Sequence, residues 1–217
     1  GQRDIQRTLE AIGATAWGPE LELCPLHGNL PLAAQAQAIR RARGRAGKVV
    51  LATSIAESSL TLEGVSLVID SGLCRRSRFN PASGMNSLVT LPASLASAEQ
   101  RAGRAGRLGP GRCVRLWSPA EQQRRPAFDP PELLETDPAP LVLQLAQWGA
   151  GLGEALPWLE PPPLASLQEG QTLLMQLGAL DQSGTLTAQG RAMAHLGVHP
   201  RLAPVSYTHL TLPTILL

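Results

Sequence analysis

Two short β-branched runs set the class of fold that this chain can adopt. Lys48-Val-Val-Leu-Ala-Thr53 and Val65-Ser-Leu-Val-Ile-Asp70 are too short and too rich in Val and Ile for helices. Ahead of them, residues 2–14 carry Ile5, Leu9 and Ile12 at helical spacing, and Leu21–Cys24 reads as a further short strand. Pro31, placed at a good first helical position, leads into a helix over Leu32–Arg43. Strands alternating with helices at this spacing predict βα units and a mainly parallel sheet. Lys48–Thr53 is expected to be a buried strand. Collagen, coiled coil, membrane channel and disulfide miniprotein are excluded, and no apolar run approaches the roughly 18 residues of a membrane span.

The next stretch predicts a hairpin, Arg75–Phe79 and Ser87–Leu91, around Asn80-Pro-Ala-Ser-Gly84. A helix over Ser97–Arg107 and a strand at Cys113–Trp117 close the α/β unit. A Pro-rich joint at Pro119–Pro131 then precedes a helix through Leu141, Leu145 and Trp148 and another over Leu164–Leu177. Gly178–Thr187 is a tight hairpin, and helices start near Ala188 and Pro200. Trp148, Trp158 and Met175 are expected in the core. Two helices and a hairpin wing fit a winged helix.

Charge is uneven along the chain. Residues 1–115 hold fifteen Lys or Arg against eight Asp or Glu, and residues 116–217 hold four against nine. A basic first half predicts an anionic partner such as phosphate or nucleic acid. Three scattered cysteines without a Cys-x-x-Cys fit small core residues in a reducing compartment. His195 and His199 have a zinc-pair spacing but no third ligand, so no metal site is expected.

The sharpest chemical signal is Gln100-Arg-Ala-Gly-Arg-Ala-Gly-Arg107. On a helix, Gln100, Arg104 and Arg107 fall within an arc of about 60°, with Arg101 on another face. Two interior glycines each cost on the order of 1 kcal/mol, and clustered guanidinium groups repel. A phosphate partner accounts for both, since glycine permits close approach and paired arginines neutralise a transferred phosphoryl group. Two plainer readings stand beside it: a capping box at Ser97-x-x-Gln100, and a solvated basic segment. A second signal, Thr53-Ser-Ile-Ala-Glu-Ser-Ser-Leu-Thr-Leu-Glu-Gly64, follows a strand at the end where ligands bind in parallel α/β sheets. Its plainer reading is a polar loop that caps a short helix.

In this order, Thr53–Gly64, Val68-Ile-Asp-Ser-Gly72, the hairpin and Gln100–Arg107 closely resemble the second RecA-like lobe of DEAH-type superfamily 2 RNA helicases. Pro25-Leu-His-Gly28 fits the helicase motif upstream, and 131–200 resembles the family's winged helix and first ratchet turns. The resemblance implies an α/β fold: a RecA-like parallel-sheet lobe at 1–118, then a mainly helical winged-helix domain at 119–187 and the start of a ratchet at 188–205. Residues 206–217 differ in composition and read as a non-native tail. Arg104 and Arg107 are implied as arginine fingers on the γ-phosphate of ATP, with Gln100 beside them. Ser59, Thr61, Glu63 and Gly103 are implied around the nucleotide, and Thr53, Ser54, Gly28, Asn29 and Arg101 at RNA, with DNA as the alternative strand. Relatives commonly carry Asn and Thr at the positions of Ser54 and Ser58. The hairpin is implied as a strand-separating wedge, and the protein as cytoplasmic.

Neither Gly-x-x-x-x-Gly-Lys-Ser/Thr nor Asp-Glu-x-His occurs in the sequence. The expectation is therefore an internal piece of a helicase, without the lobe's first strand and without the first RecA-like lobe that holds most of the Mg²⁺ ligands. Such a piece would be inactive alone. A non-enzymatic winged-helix adaptor for nucleic acid is the competing reading.

Overall fold

A computed structural model describes residues 1–41, 47–58 and 60–203. Ser59, the end of the expected second helix at 42–43 and the tail at 206–217 lie outside these described residues. The elements run α1 (Gln2–Gly13), β1 (Glu22–Leu26), α2 (Leu32–Ile39), β2 (Lys48–Ala52), α3 (Ile55–Ser58), β3 (Leu67–Asp70), β4 (Leu73–Asn80) and β5 (Met85–Pro92). They continue with α4 (Leu95–Ala102), β6 (Arg112–Arg115), α5 (Pro119–Arg124), α6 (Pro138–Gln147), α7 (Leu164–Gln176) and α8 (Ala188–His195). Chain contacts divide them into two compact units. One comprises 1–76 and 88–129, the other 77–87 and the residues from 130 onward.

In the first unit β1 pairs with β2 and β3 with β6, both parallel, while β4 and β5 form the hairpin. The parallel βα reading therefore holds, but as two separate pairs. Among the described residues no strand joins β2 to β3, so no continuous ladder links them. Pro25 sits within β1 opposite Leu51, a position open to proline because β1 has a single strand neighbour. Cys24, Leu26 and Ala38 are buried, with Val50, Ile55, Ala56, Leu60 and Leu62 packed on them. The strand expected to be buried at Lys48–Thr53 is half-buried along β2 and exposed at Ala52. Cys74 and Cys113 are only partly buried.

The helix expected over Ser97–Arg107 starts earlier and stops sooner. Ser94 is its cap, accepting the Ser97 N–H at 3.1 Å, so the Ser97-x-x-Gln100 capping box does not form. Beyond Ala102 the backbone tightens. Arg104, Ala105 and Gly106 donate to carbonyls three residues back, at 3.0, 3.1 and 3.4 Å, where an α-helix would use four. Gly103 and Gly106 weaken the helix there, and Arg104 is drawn to carbonyls of another loop, so 3.6-residue periodicity does not extend to Arg107.

The stretch read as a Pro-rich joint is helical in its first half. Ser118 and Glu121 form the capping box of α5, with Pro119 at the first helical position. Gly72 is obligatory: its φ is +70°, and a Cβ there would collide with the Trp117 ring and the Arg125 guanidinium. Arg125 stacks over Trp117 at 4.1 Å and donates to Gly72 and Ala93 carbonyls at 2.7 and 2.9 Å.

The second unit is held by Val142, Leu143, Leu167, Leu174, Leu180 and Met193, contributed by α6, α7, α8 and the turn between α7 and α8. Leu180 and Leu186 bridge antiparallel, as the Gly178–Thr187 hairpin requires. Met175 packs on this core and Trp158 is half-buried, but Trp148 at the end of α6 is 70% exposed, against the expectation of a core tryptophan. The residues around Pro200 form turns, and Ala203 closes onto the core.

Asp137, buried at the start of α6, caps Ala139 N–H at 2.9 Å and accepts Arg201 Nε at 2.8 Å. His199 Nε2 lies 3.4 Å from the same carboxylate. Arg201 also stacks on Phe79 of the hairpin at 5.4 Å, and Phe79 N–H donates to the Glu135 carbonyl at 2.8 Å. Asp137→Ala removes both the cap and the ion pair and is expected to cost about 2 kcal/mol. Asp137→Asn, which keeps the cap, should cost roughly half of that by the same reasoning. Denaturant unfolding of the two variants checks the order.

Candidate functional site

Two features of the first unit gather arginine side chains, and Glu57 touches both. The first is an open cavity of about 490 Å³ at the carboxyl end of β2. Gly28, Thr53, Ser54, Ile55, Glu57, Cys74, Arg75, Arg76, Ser97 and Asp129 line it. Three residues expected at RNA, Thr53, Ser54 and Gly28, are thus gathered in one place, and Asn29 is the exposed neighbour of Gly28. Thr53 is fixed by its N–H on the Leu26 carbonyl at 3.1 Å, which ties the carboxyl ends of β1 and β2 together. Arg75 and Arg76, which motif reasoning missed, supply the cavity's positive charge, with Arg76 3.8 Å from Asp129. The only sequence signal for them was an adjacent Arg pair in the basic half of the chain.

The second feature is the arginine turn after α4. Arg104 donates to the Leu60 carbonyl at 2.9 Å and to the Glu57 carbonyl, while Arg107 reaches Thr61 Oγ1 at 3.4 Å. The two arginines therefore converge on the 57–61 loop through a tight turn and not through a shared helix face. Gln100 stays on α4, exposed and without a hydrogen bond to either among the described residues. Arg104 Nε is buried and has no hydrogen-bond partner among the described residues. Burial, with the Arg107 charge second, lowers the Arg104 pKa from its ordinary value. An anion placed between the two groups would relieve both penalties. Gly106 has nothing within 4 Å of where a Cβ would stand, and at Gly103 a Cβ would meet only the Glu99 and Gln100 carbonyls at 3.4 and 3.6 Å. Thr61 and Glu63 are exposed along the same loop.

Arg101 is positioned differently from its neighbours in the repeat. Its guanidinium turns inward, 3.1 Å from Glu57 Oε2 and 3.0 Å from Asp70 Oδ1, and it also donates to the Leu73 carbonyl at 3.2 Å. Burial lowers its pKa, but Asp70 and Glu57 outweigh that and leave it raised. Its geometry is that of an internal brace, not of a group free to meet a strand of RNA. Glu57 also accepts a hydrogen bond from Ser97 Oγ on α4.

Residues 3–109 match the helicase conserved C-terminal domain, and 171–198 match the winged helix of the helicase-associated HA2 domain. The chain is 45% identical over 203 residues to the ATP-dependent RNA helicase HrpB of Escherichia coli K12. That alignment takes in 94% of this chain and 25% of the relative. Two solved structures are similar at 44% identity, again over 94% of this chain: the E. coli DExH-box NTPase HrpB (TM-score 0.84) and the E. coli DEAH/RHA helicase HrpB (TM-score 0.86). The chain spans about a quarter of the length of these relatives.

Removal of Arg101 leaves the Asp70 carboxylate, whose side chain is 2% exposed, without its counter-ion. Arg101→Ala is therefore expected to cost about 3 kcal/mol. Arg101→Lys should recover only part of that, because a lysine cannot span both carboxylates with a planar fork. Chemical denaturation of both variants measures the difference.

Proposed function

The chain belongs to the DEAH/RHA helicase family, and from that premise we propose that it forms the arginine-bearing half of an ATP site and an RNA-backbone surface beside it. In the intact protein, ATP hydrolysis would drive translocation or unwinding of RNA. The observation that carries this reading is the convergence of Arg104 and Arg107 on the 57–61 loop, with the buried Arg104 Nε unpaired among the described residues.

The residues present fit a nucleotide triphosphate. Arg104 and Arg107 would meet the γ-phosphate, and Gln100 on α4 is the neighbouring polar group. The open space at Gly106, and the light contacts at Gly103, would let the backbone approach the phosphates. Thr61 and Glu63, exposed on the same loop, would lie toward the nucleotide, with Ser59 between them and Glu57 in sequence. When bound, ATP with Mg²⁺ supplies the phosphoryl group and the metal that shields its charge. The metal's ligands would come from the other RecA-like lobe. Fixed guanidinium groups stabilise charge on the transferring group without reorganising during the reaction.

RNA would lie against Gly28, Asn29, Thr53 and Ser54, with Arg75 and Arg76 supplying charge. Hydroxyl, backbone and guanidinium groups suit phosphates and sugars more than base edges, so binding would tolerate sequence. Arg101 would act from behind this surface as a brace. We place the division between the RecA-like lobe and the winged helix in the Pro-rich stretch at 119–131.

In the full-length helicase, Arg104→Ala and Arg107→Ala should each lower kcat for ATP hydrolysis by about 10³-fold. RNA affinity should stay within about threefold, because neither residue lines the RNA cavity. Steady-state hydrolysis and fluorescence anisotropy with single-stranded RNA read the two quantities. RNA binding by a wild-type protein that turns over no ATP would instead support the adaptor reading. Gly106→Ala should leave stability within about 0.5 kcal/mol, since its Cβ meets nothing. Turnover by that variant should nonetheless fall about tenfold if the backbone there approaches phosphate.

A further inference from the structure

Glu57 is held at three atoms, two by side chains of α4 and one by the turn that follows it. Its Oε1 accepts from Ser97 Oγ, and its Oε2 accepts from Arg101 Nε at 3.1 Å. Its main-chain carbonyl accepts from Arg104 Nη2. The side chain is 17% exposed and lines the cavity beside Thr53 and Ser54. Its own N–H donates to the Ser54 carbonyl at 2.9 Å, within the single turn of α3. A shift of Ser54 would therefore be passed along one turn of backbone to the carbonyl that holds Arg104. The carboxylate ties the same turn to α4 through Ser97 and Arg101.

We infer that Glu57 is a positioning residue that couples occupation of the cavity to the placement of Arg104. A ligand that settles the Thr53–Glu57 turn fixes the Glu57 carbonyl, and with it the Arg104 guanidinium. Without the carboxylate, α3 loses its two side-chain ties to α4, and Arg104 is left on a carbonyl that can wander. The inference rests on the helicase reading, because it needs a reaction at Arg104 and a strand in the cavity.

The test uses the full-length helicase and the ratio of ATP turnover with single-stranded RNA to turnover without it. Glu57→Ala is expected to lower that ratio about tenfold, within the usual range of coupling between two sites. Glu57→Gln keeps an acceptor for Arg101 and a partner for Ser97 but loses the charge. It is expected to lower the ratio about threefold, again by the size of typical coupling terms. A purely structural role would depress both rates together and leave the ratio at its wild-type value in both variants, which would overturn the inference. If Glu57→Ala does not fold, Glu57→Gln decides alone, and an unchanged ratio overturns the inference. Failure of the underlying reading looks different: the wild type would show no RNA-stimulated hydrolysis, or Arg104→Ala would retain it.

Discussion

A largely buried guanidinium held between two carboxylates organises the first unit. Arg101 joins Glu57, on the turn after β2, to Asp70, at the end of β3, and it issues from α4. Charges of this kind are costly to bury and hold only when every partner is in place. Three segments that are far apart in sequence are therefore fixed against one another by one side chain. The turn that carries Arg104 and Arg107 follows directly from that fixed point, so its aim is inherited from the brace.

This explains why an Arg-Ala-Gly repeat can be so uneven in its roles. Arg101 is spent on structure, Arg104 is held by two carbonyls with its buried Nε unpaired among the described residues, and Arg107 is exposed beside Thr61. The glycines matter at the end of α4, where the backbone departs from the α-helix. Had the helix continued to Arg107, both arginines would lie on a rigid face of α4. The tighter turn takes them to the 57–61 loop, which is the same loop whose beginning walls the cavity.

The second unit follows the same logic on a smaller scale. Asp137 caps α6 and pairs with Arg201, which in turn stacks on Phe79 at the hairpin. The hairpin is thereby shared by the two units along the chain, with its base residues in one and Ser77–Ser87 in the other. Arg201, at the far end of the described chain, thus reaches a residue more than a hundred positions earlier.

The sequence by itself determined the elements and their class. Apolar periodicity and β-branched runs are local properties, so α1, the parallel strands, the hairpin and the α6–α8 region were all legible. Gln100–Arg107 stood out because interior glycines and clustered arginines are costly on a plain surface helix, and Thr53–Gly64 stood out by its place directly after a strand. What tertiary structure alone decided was where these side chains go. Helix ends depend on caps and on competing partners, so the cap at Ser94 and the early stop at Ala102 were not visible in periodicity. The inward turn of Arg101 required Glu57 of α3 and Asp70 of β3 to meet from separate elements. The cavity charges at Arg75 and Arg76 required the start of β4 to come alongside Thr53 and Ser54. Each of these is a contact between residues far apart in sequence, set by packing and charge pairing, and no local pattern encodes the distance.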